Sequence, residues 1–509
     1  MSINKVCLFR VELSLICGLF VLSLLLRLAL VLPTNFDGLY GQDAYAYYDY
    51  AQNIRDTVQS GTALKPFFWP LAYPTLLAVA MSVDGTSPSN AQTISVLMGA
   101  ALTPLVYIIA RQIGVGRFGS IAAATIMTFC GQALQSSVVV MSDIPALFWA
   151  TVSLMFLLRY LTPKSPLHIH EPDHKTTWLI LAAVILIFAS LTRWIYLILG
   201  MPFALAIMLV WRGKIRWRPT LLAIFTSSLI LLPQILYSRT NTFPSLNHEW
   251  VEGWSPANAF QRSFTNVDGH FDYEKINAIY YAQPFYDPNY LSPLFSIFIL
   301  VGLWVITRSG LWRLILFGGW ILLPYLFLAG IPYQNIRFPL IVVPAVAVLV
   351  GCGLDAVVTW LQTARFKRIR LTYLQGFIVI ILLLGLWQMW GSANTLVTTF
   401  INNQQRDKMA AAWVGENVPA GSTVYTFGLT LTLQHYTPLN VYELYYETPQ
   451  TLAKKWQRGK EEYLVLNIWN IENQWVGRDP ELDYHWLRDQ RGLQQLGKFG
   501  YYTLFKIRG

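Results

Sequence analysis

The chain has 509 residues, of which 54% are hydrophobic, 15% are aromatic and only 13% are charged. That charged fraction is too small to coat the several soluble domains that the length alone would suggest, so the composition indicates a polytopic membrane protein. The formal net charge of +10 is typical either of a nucleic-acid binder or of a membrane protein with basic cytoplasmic loops. The chain has four cysteines, Cys7, Cys17, Cys130 and Cys352. Their spacing matches neither a zinc site nor a disulfide framework.

Apolar segments long enough to cross a bilayer occur about eleven times. The predicted spans lie near 11–32, 91–110, 118–138, 143–161, 177–191, 194–211, 220–237, 291–307, 312–330, 339–360 and 371–390. Arg193 separates two short apolar runs, so the fifth and sixth segments are either two spans or one long broken span. The first span lacks a small-x-small cleavage pattern before Pro33, and we therefore expect it to be retained rather than removed as a signal peptide.

The lysine and arginine residues predict the orientation. If the N-terminus is cytoplasmic, 17 of them lie in inside segments and 7 in outside loops before residue 390. Short cytoplasmic loops retain lysine and arginine, so this distribution predicts a cytoplasmic N-terminus and a C-terminus outside. The basic surplus is then a topology signal, and it gives no support to a nucleic-acid partner.

The composition changes near residue 391. Charged residues occupy 23 of the last 119 positions against 41 of the first 390, about 19% against about 11%. We predict a transmembrane domain over 1–390 and a soluble outside domain over 391–509. A helix-like start at 406–417, a turn at 418–422 and strand-like runs at 422–427, 463–468 and 501–507 predict a small α/β fold for the second domain.

The first long outside loop, residues 33–70, contains a predicted helix that begins near Asp43. Its periodicity assigns two faces, one with Tyr47, Ala51, Ile54 and Val58 and the other with Asp49, Asn53 and Asp56. Such a helix would lie flat in the membrane interface with its tyrosines at headgroup depth. Asp43 is then either an N-cap or a carboxylate that acts as general base or metal ligand.

Four further outside charges have two interpretations each. Lys65, followed by a proline and aromatic residues, is either a solvated loop charge or a phosphate ligand. Asp143 is either part of a helix cap with Ser142 or a second functional acid. Arg193 and Arg337 lie in short outside turns, where they would snorkel to the interface or contact an anionic lipid head group.

The second long outside loop, residues 238–290, is rich in aromatic residues that would either stack on a sugar or anchor the loop in the interface. These residues are Trp250, Trp254, Phe260, Tyr273, Tyr280, Tyr281 and Tyr286. Four polar residues of the same loop have no metal-site spacing and predict a polar loop surface; they are His248, Glu249, His270 and Asp272.

The order of these features resembles the polyprenyl-phosphate-sugar-dependent glycosyltransferases of the superfamily C fold, which include protein O-mannosyltransferases and lipid A aminoarabinose transferases. The matching features are Leu26-Arg27-Leu28 in the first span, Asp43 before an interfacial helix, Lys65-Pro66 ahead of aromatics, Asp143-x-Pro145 at a span entry, and the run from Arg337 to Pro344. The resemblance implies transfer of one sugar, with inversion, from a polyprenyl-phosphate-linked donor to a glycolipid, glycan or protein acceptor at the outer face.

The resemblance also implies roles for individual residues. Asp43 matches the loop aspartate that activates the acceptor or holds a metal, and Asp143 matches the second outside acid. Lys65 and Arg337 match ligands of the donor phosphate, and Arg193 matches less clearly. The mannosyltransferase branch has a glutamate where Ala44 follows Asp43, so a divalent metal ion stays open, with Asp43 as its ligand if one binds. No Trp-Trp-Asp run is present, which argues against the oligosaccharyltransferase branch.

Two other classes compete with the enzyme. A transporter or flippase of lipid-linked sugars needs charged or broken spans at mid-membrane, whereas most ionisable residues of this chain lie at span ends. Glu12 and Arg27 are the intramembrane exceptions, each near one end of the first span. A scaffold that binds partners through its tail would explain the C-terminal domain but not the loop acids. The absence of Asn-x-Ser/Thr sequons favours a prokaryotic plasma (inner) membrane.

Overall fold

A computed structural model describes residues 3–162, 175–211, 217–240, 249–363, 368–455 and 461–508. The loops 163–174, 212–216 and 364–367, which hold part of the basic residues used for the orientation, lie outside the described residues, as does His248. The chain forms two compact units. The first comprises Met1–His248, Ala278–Gly330 and Gln334–Thr398, and the second Glu249–Asn277, Ile331–Tyr333 and Thr399–Gly509.

The α-helices of the described residues are numbered in chain order. They are α1 Ile3–Val31, α2 Gln42–Ser60, α3 Ala72–Asp84, α4 Pro88–Gln112, α5 Arg117–Phe129, α6 Gly131–Ser137, α7 Asp143–Leu161, α8 Lys175–Thr192, α9 Gly200–Val210, α10 Trp217–Thr240, α11 Glu249–Glu252, α12 Asn277–Tyr281, α13 Ser296–Ser309, α14 Leu311–Ala329, α15 Val343–Thr363, α16 Arg368–Asn417, α17 Thr430–Tyr436, α18 Pro449–Lys455, α19 Ile468–Asn473 and α20 Asp479–Trp486.

Seven helical segments of the described chain are long and apolar enough to cross a membrane. They are Arg10–Thr34, Pro88–Gln112, Asp143–Leu161, Trp217–Arg239, Leu311–Ala329, Phe338–Thr363 and Gln375–Asn417. This finding confirms the predicted α-helical integral membrane protein. Shorter apolar helices occur at Ala72–Val83, Thr176–Thr192, Trp194–Val210 and Pro293–Ser309.

One predicted span is interrupted in the structure. The segment 118–138 is not one helix, because Cys130 has an extended backbone (φ −62°, ψ 109°) between α5 and α6. Periodicity alone does not detect this break, because the apolar character continues on both sides. Arg193 is also extended (φ −156°, ψ 116°), between α8 and a 3-10 turn at Trp194–Leu199 that leads into α9, and this break lies where the sequence separates two short apolar runs.

Two charged residues of α1, Glu12 and Arg27, are buried in the first unit. Glu12 accepts hydrogen bonds from the hydroxyl of Tyr107 at 2.5 Å and from Nε of Arg117 at 2.9 Å, and it forms an ion pair with Arg111 at 3.4 Å. Arg27 is fully buried and donates to the carbonyl oxygen of Ser23 within its own helix at 2.9 Å. Glu12 is therefore paired with cations, whereas Arg27 is hydrogen-bonded through one guanidinium nitrogen and its other two have no hydrogen-bond partner among the described residues.

The predicted interfacial helix exists as α2. Tyr47 and Ala51 are buried and Asp49 and Asp56 are exposed, in keeping with the two predicted faces. Val58, in the last turn, is 79% exposed, so the part of the apolar face that is buried within the protein does not reach the end of the helix.

The second unit is an α/β structure. Its strands are β3 Thr423–Phe427, β4 Asn440–Glu443, β5 Glu462–Leu466, β6 Leu493–Phe499 and β7 Tyr502–Ile507, and a separate hairpin contains β1 Ser263–Asn266 and β2 Gly269–Asp272. The five-stranded sheet has the order β4-β3-β5-β7-β6; β3 is parallel to β4 and β5, and β7 is antiparallel to β5 and β6. Every residue of β5 is buried, since this central strand is covered on both faces.

The two units divide the chain differently from the predicted boundary at 390/391. Helix α16 continues through that point to Asn417, and the second unit takes up the chain from Thr399. The hairpin β1–β2, predicted as part of a long loop, belongs to the second unit. There the carbonyl oxygen of Gln474 accepts from the backbone N–H of His270 at 2.7 Å, and the Gln474 amide donates to the carbonyl of Asp268 at 2.8 Å.

Candidate functional site

Four of the predicted site residues form one charged cluster in the first unit. The guanidinium of Arg337 lies 3.0 Å from a carboxylate oxygen of Asp43 and 3.4 Å from one of Asp143. The other oxygen of Asp143 lies 2.8 Å from the guanidinium of Arg193. We call Asp43, Asp143, Arg193 and Arg337 the charged cluster; its two acids and two arginines alternate, so the formal charges cancel.

Each member of the charged cluster lies at or beside a helix end. Asp43 is in the first turn of α2 and Asp143 is the first residue of α7. Arg193 follows α8 directly, and Arg337 precedes a 3-10 turn at Phe338–Val342 that continues into α15. Carboxylates at the first turn of a helix are favoured by the helix dipole, which adds a local reason for acids at these two positions.

Neither acid makes a capping hydrogen bond. Gly41, not Asp43, occupies the N-cap position of α2, so the N-cap interpretation of Asp43 is wrong. Ser142 occupies the N-cap position of α7, as the helix-entry interpretation allows, but its side chain makes no cap hydrogen bond. The Asp43 carboxylate bonds to Arg337, and the Ser142 hydroxyl accepts from Tyr47.

The two carboxylates differ in access. Asp143 is only 3% exposed and both of its oxygens are engaged by guanidinium groups. The Asp43 side chain is 26% exposed and has its ion pair through one oxygen. Asp43 is thus the carboxylate that an incoming hydroxyl group can reach, whereas Asp143 holds two arginines in place.

Arg337 is oriented by neighbours that the sequence analysis missed. The side-chain oxygen of Asn335 accepts from the backbone N–H of Arg337 at 3.0 Å and from its Nε at 3.3 Å. The hydroxyl of the buried Tyr290 donates to the carbonyl of Ile336. An asparagine two residues before an arginine is a local signal for such a turn, but the contribution of Tyr290, 46 residues away, has no local signal.

Tyr47 connects the charged cluster to the aromatic segment that follows Lys65. Its hydroxyl donates to Ser142 at 3.0 Å, and its ring lies 5.8 Å from that of Phe67 and 5.2 Å from that of Trp69. Burial, with a contribution from the nearby Asp43 carboxylate, raises the pKa of Tyr47. The hydroxyl therefore stays protonated and remains a hydrogen-bond donor.

Lys65 itself is not part of the charged cluster. Its side chain is exposed, and the structure shows no ion pair between its ammonium group and a described residue. Its backbone is fixed: its N–H donates to Asn53 at 3.3 Å, and its carbonyl accepts from Tyr50 at 2.7 Å. Phe67 stacks on Tyr50 with ring centres 4.0 Å apart, so the backbone is held while the ammonium group points to solvent.

In the described part of the segment 238–290, that is 238–240 and 249–290, the side-chain contacts form no constellation comparable to the charged cluster. His270 pairs with Thr265 and Asp272 with Ser263, both within the β1–β2 hairpin, as a polar loop surface would. The aromatic residues have different environments, since Tyr281 is buried in the first unit and Phe260 is largely exposed.

The donor set of the charged cluster does not fit a divalent metal ion. Both carboxylates are paired with guanidinium groups, and a cation bound there would face two positive charges. Throughout the described ranges, no group of three or more His, Cys, Asp and Glu side chains has the geometry of a metal site.

The sequence matches a known family over part of its length. Residues 15–246 match the model of the family described as dolichyl-phosphate-mannose-protein mannosyltransferase. This range contains Asp43, Lys65, Asp143 and Arg193, and it ends before Arg337. The match confirms the resemblance inferred from the order of the sequence features. No curated protein sequence matches the chain.

Solved structures of two membrane enzymes share the fold. ArnT from Cupriavidus metallidurans in the apo state matches with a TM-score of 0.62 and 16% identity, covering 95% of this chain and 97% of ArnT. The same ArnT bound to undecaprenyl phosphate matches with a TM-score of 0.60 and 14% identity, covering 96% of this chain and 98% of ArnT. The archaeal oligosaccharyltransferase AglB from Archaeoglobus fulgidus, in complex with an inhibitory peptide and a dolichol-phosphate, matches with a TM-score of 0.61 and 13% identity. This match covers 90% of this chain and 70% of AglB. These similarities show that the chain shares the fold of ArnT and AglB.

Proposed function

We propose that the protein is an integral-membrane glycosyltransferase that moves a single sugar from a polyprenyl-phosphate-linked donor to an acceptor hydroxyl. The observation that carries this proposal is the charged cluster, in which an accessible carboxylate, Asp43, lies against the cation Arg337 at helix ends. The family match and the shared fold support it, and so do the undecaprenyl phosphate and dolichol-phosphate bound to the solved relatives.

The proposed topology extends what the long helices establish. Eleven apolar segments would cross the membrane, with the N-terminus in the cytoplasm and the charged cluster at the outer face. Helix α2 would lie in the outer interface, and the unit that contains the five-stranded sheet would be soluble and outside. The positive-inside distribution supports this orientation, and the lack of sequons favours a prokaryotic plasma membrane.

The reaction is a substitution at the anomeric carbon. The acceptor hydroxyl attacks that carbon from the face opposite the phosphate, and its proton moves to the Asp43 carboxylate. The bond from the anomeric carbon to the phosphate oxygen breaks as the new glycosidic bond forms. Polyprenyl phosphate leaves with the electron pair, and the configuration at the anomeric carbon inverts.

The leaving phosphate gains negative charge in the transition state. Arg337, whose guanidinium lies 3.0 Å from Asp43, would stabilise that charge, and Lys65 would bind the phosphate of the donor with its exposed ammonium group. Asp143 would keep Arg337 and Arg193 in position without itself reacting, because both of its oxygens are already engaged. We assign no step to a metal ion.

The flippase alternative is not favoured. A flippase would carry charged groups through the membrane interior, whereas Glu12 of α1 is ion-paired, Arg27 is hydrogen-bonded within its own helix, and the charged cluster lies at helix ends.

The test uses the purified full chain in vesicles loaded with a panel of labelled polyprenyl-phosphate sugars. The expected result is transfer of label to an acceptor, such as a glycolipid, a glycan or a peptide with free hydroxyl groups. Translocation of intact donor across the vesicle without formation of a glycoside would refute the proposal in favour of a flippase.

A further inference from the structure

Helix α10 is mostly apolar and little buried, with one polar exception. Of its most apolar stretch only 11% is buried, and its residues Leu232 and Leu236 are 46% and 53% exposed. Gln234 lies between them in sequence and is 4% exposed. A buried amide on a helix that otherwise faces lipid needs a partner, because an unsatisfied polar group is costly in an apolar environment.

The partner of Gln234 is the segment that begins at Lys65. The side-chain oxygen of Gln234 accepts from the backbone N–H of Leu71 at 3.0 Å, and its amide nitrogen donates to Ser238 at 3.3 Å. Leu71 immediately precedes α3. Gln234 therefore fixes the far end of the segment from Lys65 to Leu71.

The near end of this segment is fixed from the same face of α10. The hydroxyl of Tyr237 lies 2.9 Å from the carbonyl oxygen of Lys65 and 2.7 Å from the hydroxyl of Tyr50, which itself lies 2.7 Å from the same carbonyl. Two hydroxyl hydrogens serve these three contacts, so at any moment two of them are hydrogen bonds. Residues 234 and 237 are one helical turn apart and share one face of the helix.

We propose that Gln234 and Tyr237 are positioning residues that hold the Lys65–Leu71 segment and thereby place the Lys65 ammonium group for the donor phosphate. We call the two side chains the α10 latch. They do not touch the substrate; they act through the backbone of Lys65 and Leu71. The inference rests on the proposed function, in which Lys65 binds that phosphate.

The first experiment measures the latch itself, without activity. Hydrogen–deuterium exchange of the peptide that spans residues 62–72 is followed in the purified full chain, in Gln234→Leu, in Tyr237→Phe, and in Leu236→Val as a control on the exposed face of α10. We expect faster exchange in the two latch variants and wild-type exchange in the control. Unchanged exchange in both latch variants would overturn the inference, whatever the activity of the protein.

The second experiment measures what the latch does for the donor. In the transfer assay, each latch variant should raise KM for the polyprenyl-phosphate sugar about threefold to tenfold, since one net hydrogen bond is lost, while kcat changes little. In a Lys65→Ala background the same substitutions should have no further effect. Equal effects in both backgrounds would show that the latch does not act through Lys65, and faster exchange with an unchanged KM would refute the positioning role.

The outcomes separate this inference from the proposed function. If the wild-type chain transfers sugar but the latch variants behave like the Leu236→Val control, the glycosyltransferase proposal stands and the latch is wrong. If the wild-type chain transfers no sugar from any donor, the proposed function and the donor role of the latch fail together, and the exchange data alone then decide whether the segment is held.

Discussion

Substitution of Asp143 distinguishes a residue that positions the arginines of the charged cluster from one that takes part in the reaction. Its side chain is 3% exposed and contacts Arg193 at 2.8 Å and Arg337 at 3.4 Å. Asp143→Asn preserves the volume but removes the negative charge between two guanidinium groups. Removing one partner of a buried ion pair costs roughly 3–5 kcal/mol; because both arginines are about one-fifth exposed, we expect a value of about 3 kcal/mol.

The assay is thermal unfolding of the purified full chain, monitored by intrinsic fluorescence, beside the transfer assay. Asp143→Asn should lower Tm by several degrees and reduce the affinity for the donor, because Arg337 loses one of its two anionic partners. Asp43→Asn should leave Tm close to that of the wild type, since a partly exposed ion pair contributes about 0–1 kcal/mol, while kcat falls sharply.

A double-mutant cycle tests the physical reason. Arg193→Gln combined with Asp143→Asn should destabilise less than the sum of the two single changes, because it removes the guanidinium group that Asp143→Asn deprives of its carboxylate, whereas Arg337 still pairs with Asp43. A wild-type Tm for Asp143→Asn would refute the reasoning. A Tm and donor affinity like those of the wild type with a lost kcat would instead identify Asp143 as the reacting carboxylate.

Three further predictions concern other parts of the chain. Burial, and to a smaller extent the nearby carboxylates of Asp479 and Glu447, raises the pKa of Asp483 to about 8. Its carboxyl group therefore stays protonated in the folded state over a pH range in which the same group is ionised in the unfolded chain. The contribution of this group to the free energy of unfolding is therefore present at low pH and is lost as the pH rises towards 8, at about 1.4 kcal/mol per pH unit. Tm should fall between pH 6 and 8, and Asp483→Asn should abolish this decrease. An equal decrease of Tm in the variant would contradict the assignment to Asp483. Gly269 has φ +102°, and a Cβ at this position would lie too close to the carbonyl oxygen of Gln474. Gly269→Ala should therefore lower the unfolding temperature of the unit that contains the five-stranded sheet, by an amount that corresponds to at least about 1 kcal/mol. An unchanged unfolding temperature in calorimetry would count against this packing. A chelator should leave the transfer rate unchanged, since the carboxylates are paired with guanidinium groups; loss of activity restored by a divalent metal would show that a metal binds after all.

The transmembrane helices are the part of the fold that the sequence predicts best. An apolar run of about 20 residues has few alternatives to a helix, and α4 and α7 lie close to the predicted spans 91–110 and 143–161. The break at Cys130 escapes prediction because the apolar pattern does not change there, whereas the break at Arg193 coincides with the charge that separates the predicted segments 177–191 and 194–211. Periodicity in α2 indicates which face is apolar but not how far protein covers that face, so the exposure of Val58 has no signal in the sequence.

The charged cluster shows a second limit. Asp43, Asp143, Arg193 and Arg337 are each identified from the sequence as outside charges, but their mutual pairing is not, since Arg337 lies 294 residues from Asp43. Contacts over such separations depend on how the helices pack, which spacing along the chain does not record. Gln234 had a usable signal, a single amide in an apolar helix, whereas the hydroxyl of Tyr237 beside it does not stand out among the many interfacial tyrosines.

The role of Asp43 as the group that takes the acceptor proton is tested by the single-turnover transfer rate of Asp43→Asn at saturating polyprenyl-phosphate donor. The control is Asp56→Asn, which removes an exposed acid of the same helix that pairs only with its neighbour Arg55 in the described contacts. We expect a loss of about 10²–10⁴-fold for Asp43→Asn, with inversion at the anomeric carbon in the residual product, and a wild-type rate for Asp56→Asn. Equal rates for Asp43→Asn and the wild type would contradict the role of Asp43 as the base.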